Sequence, residues 1–314
     1  MSLKQDILTI LQLKNGEYIS GQELAEKAGK SRAAVWKAVK SLQKEGYVIN
    51  AVTNRGYSLT SEGDILNGAK IKNAMKHDIA VIHYAETDST NTQAKRLLNS
   101  GEANGTLLVT AERQTAGRGR QGKTFYSPAE TGIYMSLVVH PNTILQNAVT
   151  ATTAASVAVC KAIERLTDIN PQIKWVNDVY VNDKKICGIL TEAVSDFELG
   201  IVTSVIVGIG INIKTNDFPD DVERAGSLNV DIKRADLIGT VADELIDIIG
   251  GDYSDFIEYY RSHSMIIGKR INYIENGVVT PAEAVSIDET GGLVVKTEDG
   301  AEKTLKSGEI SIRW

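Results

Sequence analysis

A glycine-rich basic loop, residues 111–127, holds the residue types best suited to gripping an anion. Its sequence, AERQTAGRGRQGKTFYS, interleaves glycines with Arg118, Arg120 and Lys123. Glycine lets the backbone close around an anion, and arginine supplies forked donors that match phosphate or carboxylate oxygens. A solvated basic turn or an RNA-binding tract has a similar composition, so the loop alone does not decide between these and a nucleotide site.

Three further motifs flank this loop, one before it and two after it. They are Asp88-Ser89-Thr90-Asn91, Lys174-Trp175-Val176-Asn177-Asp178 and Lys185-Ile186-Cys187-Gly188-Ile189-Leu190. Each also has a structural explanation, because Ser89 or Thr90 can cap the helix that follows, and exposed lysines such as Lys185 are common after turns. The ordered set resembles the biotin protein ligases, and the whole chain resembles their bifunctional form, which also represses the biotin operon.

The resemblance implies a two-step acyl transfer. A carboxylic acid does not acylate an amine at useful rates, because hydroxide would be the leaving group, so it must first be activated. The resemblance implies that ATP and biotin form biotinyl-5'-adenylate, with arginine, lysine and Mg2+ stabilising the developing negative charge. Biotin would then pass to a lysine of a biotin carboxyl carrier domain of acetyl-CoA carboxylase or pyruvate carboxylase.

The resemblance also assigns site residues. The catalytic set is Lys185, Arg120 and Arg118. The biotin-binding set is Ser89, Thr90, Asn91, Gln114, Gly117, Arg118, Gly119, Arg120, Lys185 and Gly188. The set that binds the adenylate or ATP is Arg120, Phe125, Asn177, Lys185 and Asn212. Asp178 is the matching candidate for Mg2+, although an Asn-Asp pair also makes a good turn and one carboxylate is a weak metal signal.

Two positions depart from the family pattern. Val176 stands where proline is usual, which would loosen this turn without removing Asn177 or Asp178. Phe125 stands near an aromatic residue that the family uses against adenine, where tryptophan is common; a smaller ring should weaken the stacking without abolishing it. The site is therefore expected to keep its polar groups.

Two glycine-containing segments complete the expected site. Residues 208–212, GIGIN, lack the spacing of a dinucleotide fingerprint and lie in a strand pattern, so close backbone packing is the better explanation. Residues 215–228 resemble the family's adenylate-covering loop, and we expect them to become ordered when ligand binds. The sequence does not identify the base that deprotonates the acceptor lysine. The four histidines lie outside the motifs and are expected to be structural or exposed: His77, His83, His140 and His263.

The N-terminal segment predicts a DNA-binding module. Residues 27–44 contain six Lys and Arg and no Asp or Glu. Ser20 with Glu23 forms a capping box, Gly29 ends that helix, and Ser31 can cap the next one. Helix, turn, helix and a following hairpin predict a winged helix. The candidate DNA contacts are Ser31, Arg32, Trp36, Lys37, Lys40 and Arg55, with core packing equally open for Trp36.

The predicted fold class is α+β. It comprises an N-terminal winged helix-turn-helix, a central mixed-sheet ligase domain like that of class II synthetases and a C-terminal SH3-like β-barrel, with boundaries at 1–63, 64–266 and 267–314. Consecutive strand patterns without intervening helices disfavour a doubly wound parallel sheet. Strands are expected at 81–84, 107–111, 133–139, 186–193, 205–213, 270–275, 282–287, 293–297 and 309–313. Helices are expected at 90–99, 148–166 and 235–249.

Bulk properties limit the remaining classes. The 314 residues carry a net charge of −6 and only two cysteines, both in apolar sequence, so a disulfide framework or a cysteine metal site is not expected. The absence of a long apolar run predicts a cytoplasmic protein with no membrane association. A two-fold operator would need a homodimer, expected when the adenylate is bound. Two alternatives stay open: a lipoate or octanoate ligase, and a biotin-sensing repressor without catalysis.

Overall fold

The chain divides into two compact units, Met1–Ile65 and Leu66–Trp314. The computed structural model describes residues 2–14, 16–44, 46–61, 63–103, 105–140, 148–196, 201–220, 222, 224–251, 253–275, 277–306 and 308–312. Two positions of the predicted turns and strands, Asn276 and Arg313, lie outside the described residues.

Three helices and one hairpin form the first unit. They are α1 (Leu3–Leu13), α2 (Gly21–Ala28), α3 (Arg32–Lys44), β1 (Val48–Val52) and β2 (Gly56–Ser61). The predicted caps are confirmed: the Ser20 hydroxyl accepts from the Glu23 amide at 3.1 Å, and that of Ser31 accepts from the Ala34 amide at 3.2 Å. The apolar faces of the three helices meet in one core, as the helical periodicity predicts.

The turn of the hairpin requires a glycine at its end. Gly56 has φ of 97°, and a Cβ there would overlap the carbonyl oxygen of Ile19. This close approach lets Ile19 and Tyr57 exchange two main-chain hydrogen bonds of 2.8 Å, which tie the hairpin to the connection between α1 and α2. Trp36 is 52% exposed, so the alternative of core packing is wrong for this residue.

The second unit is built on a seven-stranded mixed sheet. Its elements are α4 (Gly68–Asn73), β3 (Ala80–Tyr84), α5 (Thr90–Asn99), β4 (Leu107–Ala111), β5 (Gly132–Val139), α6 (Ala148–Leu166), β6 (Gln172–Lys174), β7 (Asp178–Val181), β8 (Lys184–Asp196), β9 (Ile201–Asn212), α7 (Arg234–Gly250) and α8 (Tyr253–Ser262). The strand order is β3-β4-β5-β9-β8-β7-β6, in which β3 and β4 are parallel and the other neighbours are antiparallel. The predicted α+β class is confirmed.

A five-stranded antiparallel sheet follows. Its strands are β10 (Arg270–Glu275), β11 (Val278–Ile287), β12 (Leu293–Thr297), β13 (Glu302–Leu305) and β14 (Glu309–Ile312), in the order β13-β12-β11-β10-β14. Its buried residues continue the core of the seven-stranded sheet. The Trp175 indole reinforces this contact by donating to the carbonyl oxygen of Gly291 at 2.9 Å.

The two faces of the seven-stranded sheet are covered differently. Helices α6, α7 and α8 bury one face in the large core. On the other face, α5 covers part of β4, β5 and β9 through a small cluster that contains Ala94, Leu97, Val109 and Ile206. Residues two apart in a strand face the same side of the sheet, so residues 208 and 210 lie on the same face as Ile206, beyond the start of α5. Residue 188 pairs with residue 210 and lies on this face as well. In the described part of the chain, no helix combines the length and the apolarity that a bilayer crossing needs.

Candidate functional site

Glycines form the floor of the candidate site. Gly188 of β8 lies directly opposite Gly210 of β9, and Gly208 lies two residues before Gly210 on the same face. A Cβ at Gly208 would overlap the Asn91 side chain, and one at Gly210 would overlap the Phe125 ring. The prediction of close packing in the GIGIN segment is therefore confirmed, and each glycine admits a predicted site residue directly onto the backbone.

A polar cluster lies beside this floor. The Thr90 amide donates to Gln114 Oε1 at 2.8 Å, and the Gln114 amide donates to Ser127 Oγ at 2.9 Å. Ser136 Oγ donates to Asn91 Oδ1 at 2.6 Å and lies 2.7 Å from Thr90 Oγ1. Thr90, Asn91 and Ser136 are all buried. The structure thus brings one strand residue, Ser136, into a hydrogen-bonded group with Thr90 and Asn91 of the first motif and Gln114 and Ser127 of the basic loop.

The predicted capping role of Ser89 and Thr90 is wrong. Ser89 occupies the N-cap position of α5, but its side chain makes no capping hydrogen bond. Asp88 accepts from the Ser89 amide at 2.8 Å instead, and Thr90 turns toward Gln114. The hydrogen bond from Arg96 lowers the pKa of Asp88, which keeps this carboxylate ionised. Tertiary contacts have replaced local capping because the start of α5 faces the polar cluster.

The basic loop folds back on itself. Phe125 donates its amide to the Gly117 carbonyl at 2.9 Å, and Gly119 donates to the Lys123 carbonyl at 2.7 Å. A Cβ at Gly117 would overlap the Phe125 carbonyl oxygen and the Ser127 hydroxyl, so glycine is required for this closure. Between these bonds, a 3-10 turn spans Arg120–Gly122.

Arg118 and Arg120 of this loop contact different segments of the chain. Arg118 donates to Glu192 Oε2 at 2.8 Å, and Arg120 donates to Asn177 Oδ1 at 3.2 Å. Asn177 is itself fixed, because its amide group donates to the carbonyl oxygen of Ile189 at 3.1 Å. Lys123 pairs with Glu309 of β14. The cationic loop is therefore fastened to β8, to the segment before β7 and to β14.

Lys185 lies at the centre of the predicted catalytic motifs. Its Nζ is 2.6 Å from Asp178 Oδ1 on the neighbouring strand, an ion pair that lacks hydrogen-bond alignment. A Cβ at Gly188 would lie 3.4 Å from Lys185 Nζ and 3.3 Å from the Phe125 ring. Asn182 and Asp183, with φ of 49° and 58°, form the two-residue turn that precedes β8.

The predicted covering segment contacts the backbone of Lys185. The Lys185 amide donates to the Arg224 carbonyl at 2.8 Å, and the Gly226 amide donates back to the Lys185 carbonyl at 2.9 Å. Asn212 donates its side-chain amide to the Gly226 carbonyl at 3.1 Å. Positions 221 and 223 of this segment lie outside the described residues. The segment thus joins two predicted nucleotide-side residues, Asn212 and Lys185.

Asp178 supplies the candidate carboxylate ligand for a magnesium ion. Asp178 is 16% exposed, and its buried Oδ1 accepts no aligned hydrogen bond. Magnesium commonly binds through one or two carboxylates, substrate phosphates and water, so the single carboxylate of Asp178 fits such a site. No cluster of three or more His, Cys, Asp or Glu side chains suited to a metal occurs in the described ranges.

Sequence reasoning assigned no role to several residues of the site, notably Glu192, Ser136 and Lys174. Glu192 and Ser136 are polar positions within apolar strands, and this interruption was their only signal. Lys174 of β6 lies opposite Asp178 of β7. Burial, reinforced by the Lys185 charge and opposed by Asp178, lowers the pKa of Lys174. Asp178 therefore has a second lysine, Lys174, beside it in addition to Lys185.

The four histidines contact groups outside the motifs. His77 contacts Asp247, and His83 contacts Thr110. His140 contacts the Thr203 carbonyl, and His263 contacts Glu164. Burial lowers the pKa of His83, which favours its neutral form. These contacts agree with structural roles.

The predicted DNA contacts lie on the surface of the first unit. The exposed candidates are Ser31, Arg32, Trp36, Lys37, Lys40 and Arg55. The Arg55 guanidinium lies 4.3 Å from the centre of the Tyr18 ring, a cation–π distance. Helix α3 and the hairpin thus both present basic side chains to solvent.

Three family models match successive parts of the chain. Residues 4–58 match an HTH domain, residues 84–212 match the Biotin/lipoate A/B protein ligase family, and residues 266–313 match the Biotin protein ligase C terminal domain. This order agrees with the helix-turn-helix, mixed-sheet and β-sheet parts of the fold.

Individual relatives extend over the whole chain. The bifunctional ligase/repressor BirA of Bacillus subtilis is 34% identical over 99% of this chain and 99% of its own length. The protein of that name from Escherichia coli is 28% identical, over 97% and 96%. The solved structure of biotin protein ligase from Aquifex aeolicus in complex with biotin and ATP covers 74% of this chain and 98% of its own, with a TM-score of 0.62 and 28% identity. The chain therefore belongs to the BirA family of bifunctional ligases and repressors.

Proposed function

We propose that this protein converts biotin and ATP to biotinyl-5'-adenylate and pyrophosphate and transfers biotin to a lysine of a biotin carboxyl carrier protein. The observation that carries the proposal is the convergence of Lys185, Phe125 and the Thr90–Asn91–Gln114 cluster on one glycine floor. An apolar floor with polar groups at one end suits a ligand with a polar head and an apolar chain. The Aquifex relative, described as bound to biotin and ATP, supports the same assignment.

The polar cluster is the proposed site for the ureido head of biotin. Thr90, Asn91 and Gln114 supply hydroxyl and amide groups that are already oriented by hydrogen bonds. Ser89 is buried next to them. The backbone of Gly117, Arg118 and Gly119 and the floor at Gly188 would line the rest of the ligand. Preorganised polar groups reduce the entropic cost of binding.

The cationic side of the site would handle the reacting oxygens. Lys185 and Arg120 are proposed to contact the biotin carboxylate and the α-phosphate, so that carboxylate attack meets less charge repulsion and the transition state is stabilised. Arg118 adds positive charge nearby. Phe125 is proposed to pack against adenine, and Asn177 and Asn212 to bind the nucleotide. Asp178 would hold Mg2+, which would neutralise phosphate charge.

The second step requires an unprotonated acceptor lysine, whose reference pKa is about 10.4. Attack of its amine on the activated carbonyl would form the amide and release AMP. Carrier domains of acetyl-CoA carboxylase or pyruvate carboxylase are the proposed acceptors.

The repressor half is proposed to use the first unit. In this proposal, α3 enters the major groove of operator DNA with Ser31, Arg32, Trp36, Lys37 and Lys40 near the bases or phosphates, and Arg55 contacts the backbone or minor groove. A homodimer formed by the adenylate-bound protein would match a two-fold operator. We place the domain boundaries at 1–63, 64–266 and 267–314, and the protein in the cytoplasm.

A carrier-labelling experiment tests the ligase half. The purified protein is mixed with biotin, Mg-ATP and an apo carrier domain, and the intact mass of the carrier is measured. We expect a biotin-sized gain that disappears in Lys185→Ala and persists in Lys184→Ala, because Lys184 is exposed at the same turn. Tight biotin binding without a gain would favour a sensing repressor. Absence of both would reopen the lipoate or octanoate alternative.

A further inference from the structure

Glu192 joins three parts of the candidate site. Its Oε2 accepts from the Asn91 amide and from Arg118, each at 2.8 Å, and its Oε1 pairs with Lys95 at 2.6 Å. The Glu192 side chain is only 17% exposed. One largely buried carboxylate therefore ties the start of α5 to the basic loop.

This carboxylate fixes the orientation of the Asn91 amide. An ionised carboxylate only accepts hydrogen bonds, so it can face the NH2 group of Asn91 but not the oxygen. The second hydrogen of that group lies toward the Leu190 carbonyl, at 3.2 Å. Both donors of Asn91 are thus used by the protein, while Oδ1 accepts from Ser136 and retains a second lone pair.

The surroundings keep Glu192 ionised. Burial alone raises its pKa, but hydrogen bonds from Lys95 and Asn91 and the Arg118 charge outweigh this effect, so the pKa lies below the ordinary value. The packing of Asn91 against Gly208 leaves the amide little room to rotate. Charge and packing therefore favour the same orientation.

We propose that Glu192 is a positioning residue that holds Asn91 as a hydrogen-bond acceptor and thereby selects a ligand head that carries N–H donors. The proposal rests on the proposed function, because it assigns the polar cluster to the biotin head. A ureido group offers N–H donors to Asn91 Oδ1, whereas a dithiolane ring or a plain acyl chain offers none. A site whose acceptor is left unpaired discriminates strongly against such ligands.

Calorimetric titration of the full chain without ATP tests this proposal. The ligands are biotin and two analogues, each methylated at one ureido nitrogen. In the wild type we expect methylation at one of these nitrogens to weaken binding about tenfold or more. In Glu192→Met, which has no carboxylate acceptor, we expect biotin affinity to fall roughly 10- to 100-fold and the methylation penalty to shrink below about threefold.

Two further variants separate positioning from general destabilisation. Glu192→Gln keeps one acceptor oxygen, so its methylation penalty is expected to lie between those of the wild type and Glu192→Met. Glu164→Gln alters another partly buried glutamate, which contacts Tyr259 and His263, and is expected to keep wild-type values.

The outcomes are distinct. An equal loss of affinity for biotin and both analogues in Glu192→Met, with the methylation penalty retained, would overturn the inference. So would two methylated analogues that bind the wild type as well as biotin does. Failure of the wild type to bind biotin would instead refute the proposed function.

Discussion

Lys185 Nζ lies 2.6 Å from Asp178 Oδ1, across two neighbouring strands joined by a two-residue turn. The pair places a cation and a carboxylate at one end of the glycine floor. This relationship connects the proposed binding of phosphate to the proposed binding of magnesium.

Replacement of Asp178 should change the magnesium dependence. We expect Asp178→Asn to raise the Mg2+ concentration for half-maximal adenylate formation about tenfold or more, because an amide oxygen is a weaker ligand for a hard cation. Pyrophosphate release across a magnesium titration measures this. Asp183→Asn, at the exposed turn next to the pair, is the matched control. An unchanged magnesium dependence in Asp178→Asn would contradict the assignment.

The two floor glycines of β9 should affect different substrates. Gly208→Ala would displace Asn91, and Gly210→Ala would displace Phe125. We therefore expect the first change to raise mainly the KM for biotin and the second mainly the KM for ATP. Overpacking would also cost roughly 1–3 kcal/mol of stability in each variant. Steady-state kinetics with each substrate varied in turn checks the contrast, and equal effects on both KM values would argue against it.

The Glu192 carboxylate should make the free energy of unfolding decrease as the pH falls. Its folded-state pKa lies below the ordinary value of 4.5, so its contribution is fully present above that value and is lost as pH falls through the folded pKa. Glu192→Met should therefore be less stable than the wild type at pH 7, by about 1–3 kcal/mol. The difference should narrow below pH 4.5. Urea unfolding at both pH values measures it, and a difference independent of pH would exclude this role.

Mutations in the first unit should weaken DNA binding without changing carrier labelling. We expect Lys37→Ala to weaken DNA binding and to lower the slope of log affinity against log salt by about 1, as for one lost phosphate contact. Lys44→Ala, at the far end of α3, should have a smaller effect. Carrier labelling should be unchanged in both variants. Fluorescence anisotropy at several salt concentrations provides the measurement, and a Lys37→Ala slope equal to that of the wild type would refute the proposed contact.

The elements that were predicted best have strong local signals. Helical composition and periodicity predict α5 at Thr90–Asn99 and α6 at Ala148–Leu166, which are the observed bounds. The short strands β6 and β7, with three and four residues, were missed because such lengths carry no measurable alternation. Helix α8 was also missed, since its aromatic sequence, YSDFIEYYRS, has weak helix propensity.

In the candidate site, local motifs likewise indicate some residues, whereas others are recognised only in the folded structure. The motifs indicated Lys185, Arg120 and Asn91, but no local pattern indicated that Glu192 would contact Asn91, Lys95 and Arg118. Asn91, Lys95 and Arg118 lie 101, 97 and 74 residues before Glu192 in sequence, and they meet it only because the fold brings β8 close to α5 and to the basic loop. The prediction that Ser89 would cap α5 failed for the related reason that tertiary hydrogen bonds outcompeted local ones.

Adenylate formation without any acceptor tests the central claim most directly. The protein is incubated with biotin and Mg-ATP and then denatured, and the released small molecules are measured by mass spectrometry. We predict biotinyl-5'-AMP in amounts close to one per protein for the wild type and Lys184→Ala, and its loss in Lys185→Ala. Wild-type protein that binds biotin and ATP but yields no adenylate would contradict the proposed ligase.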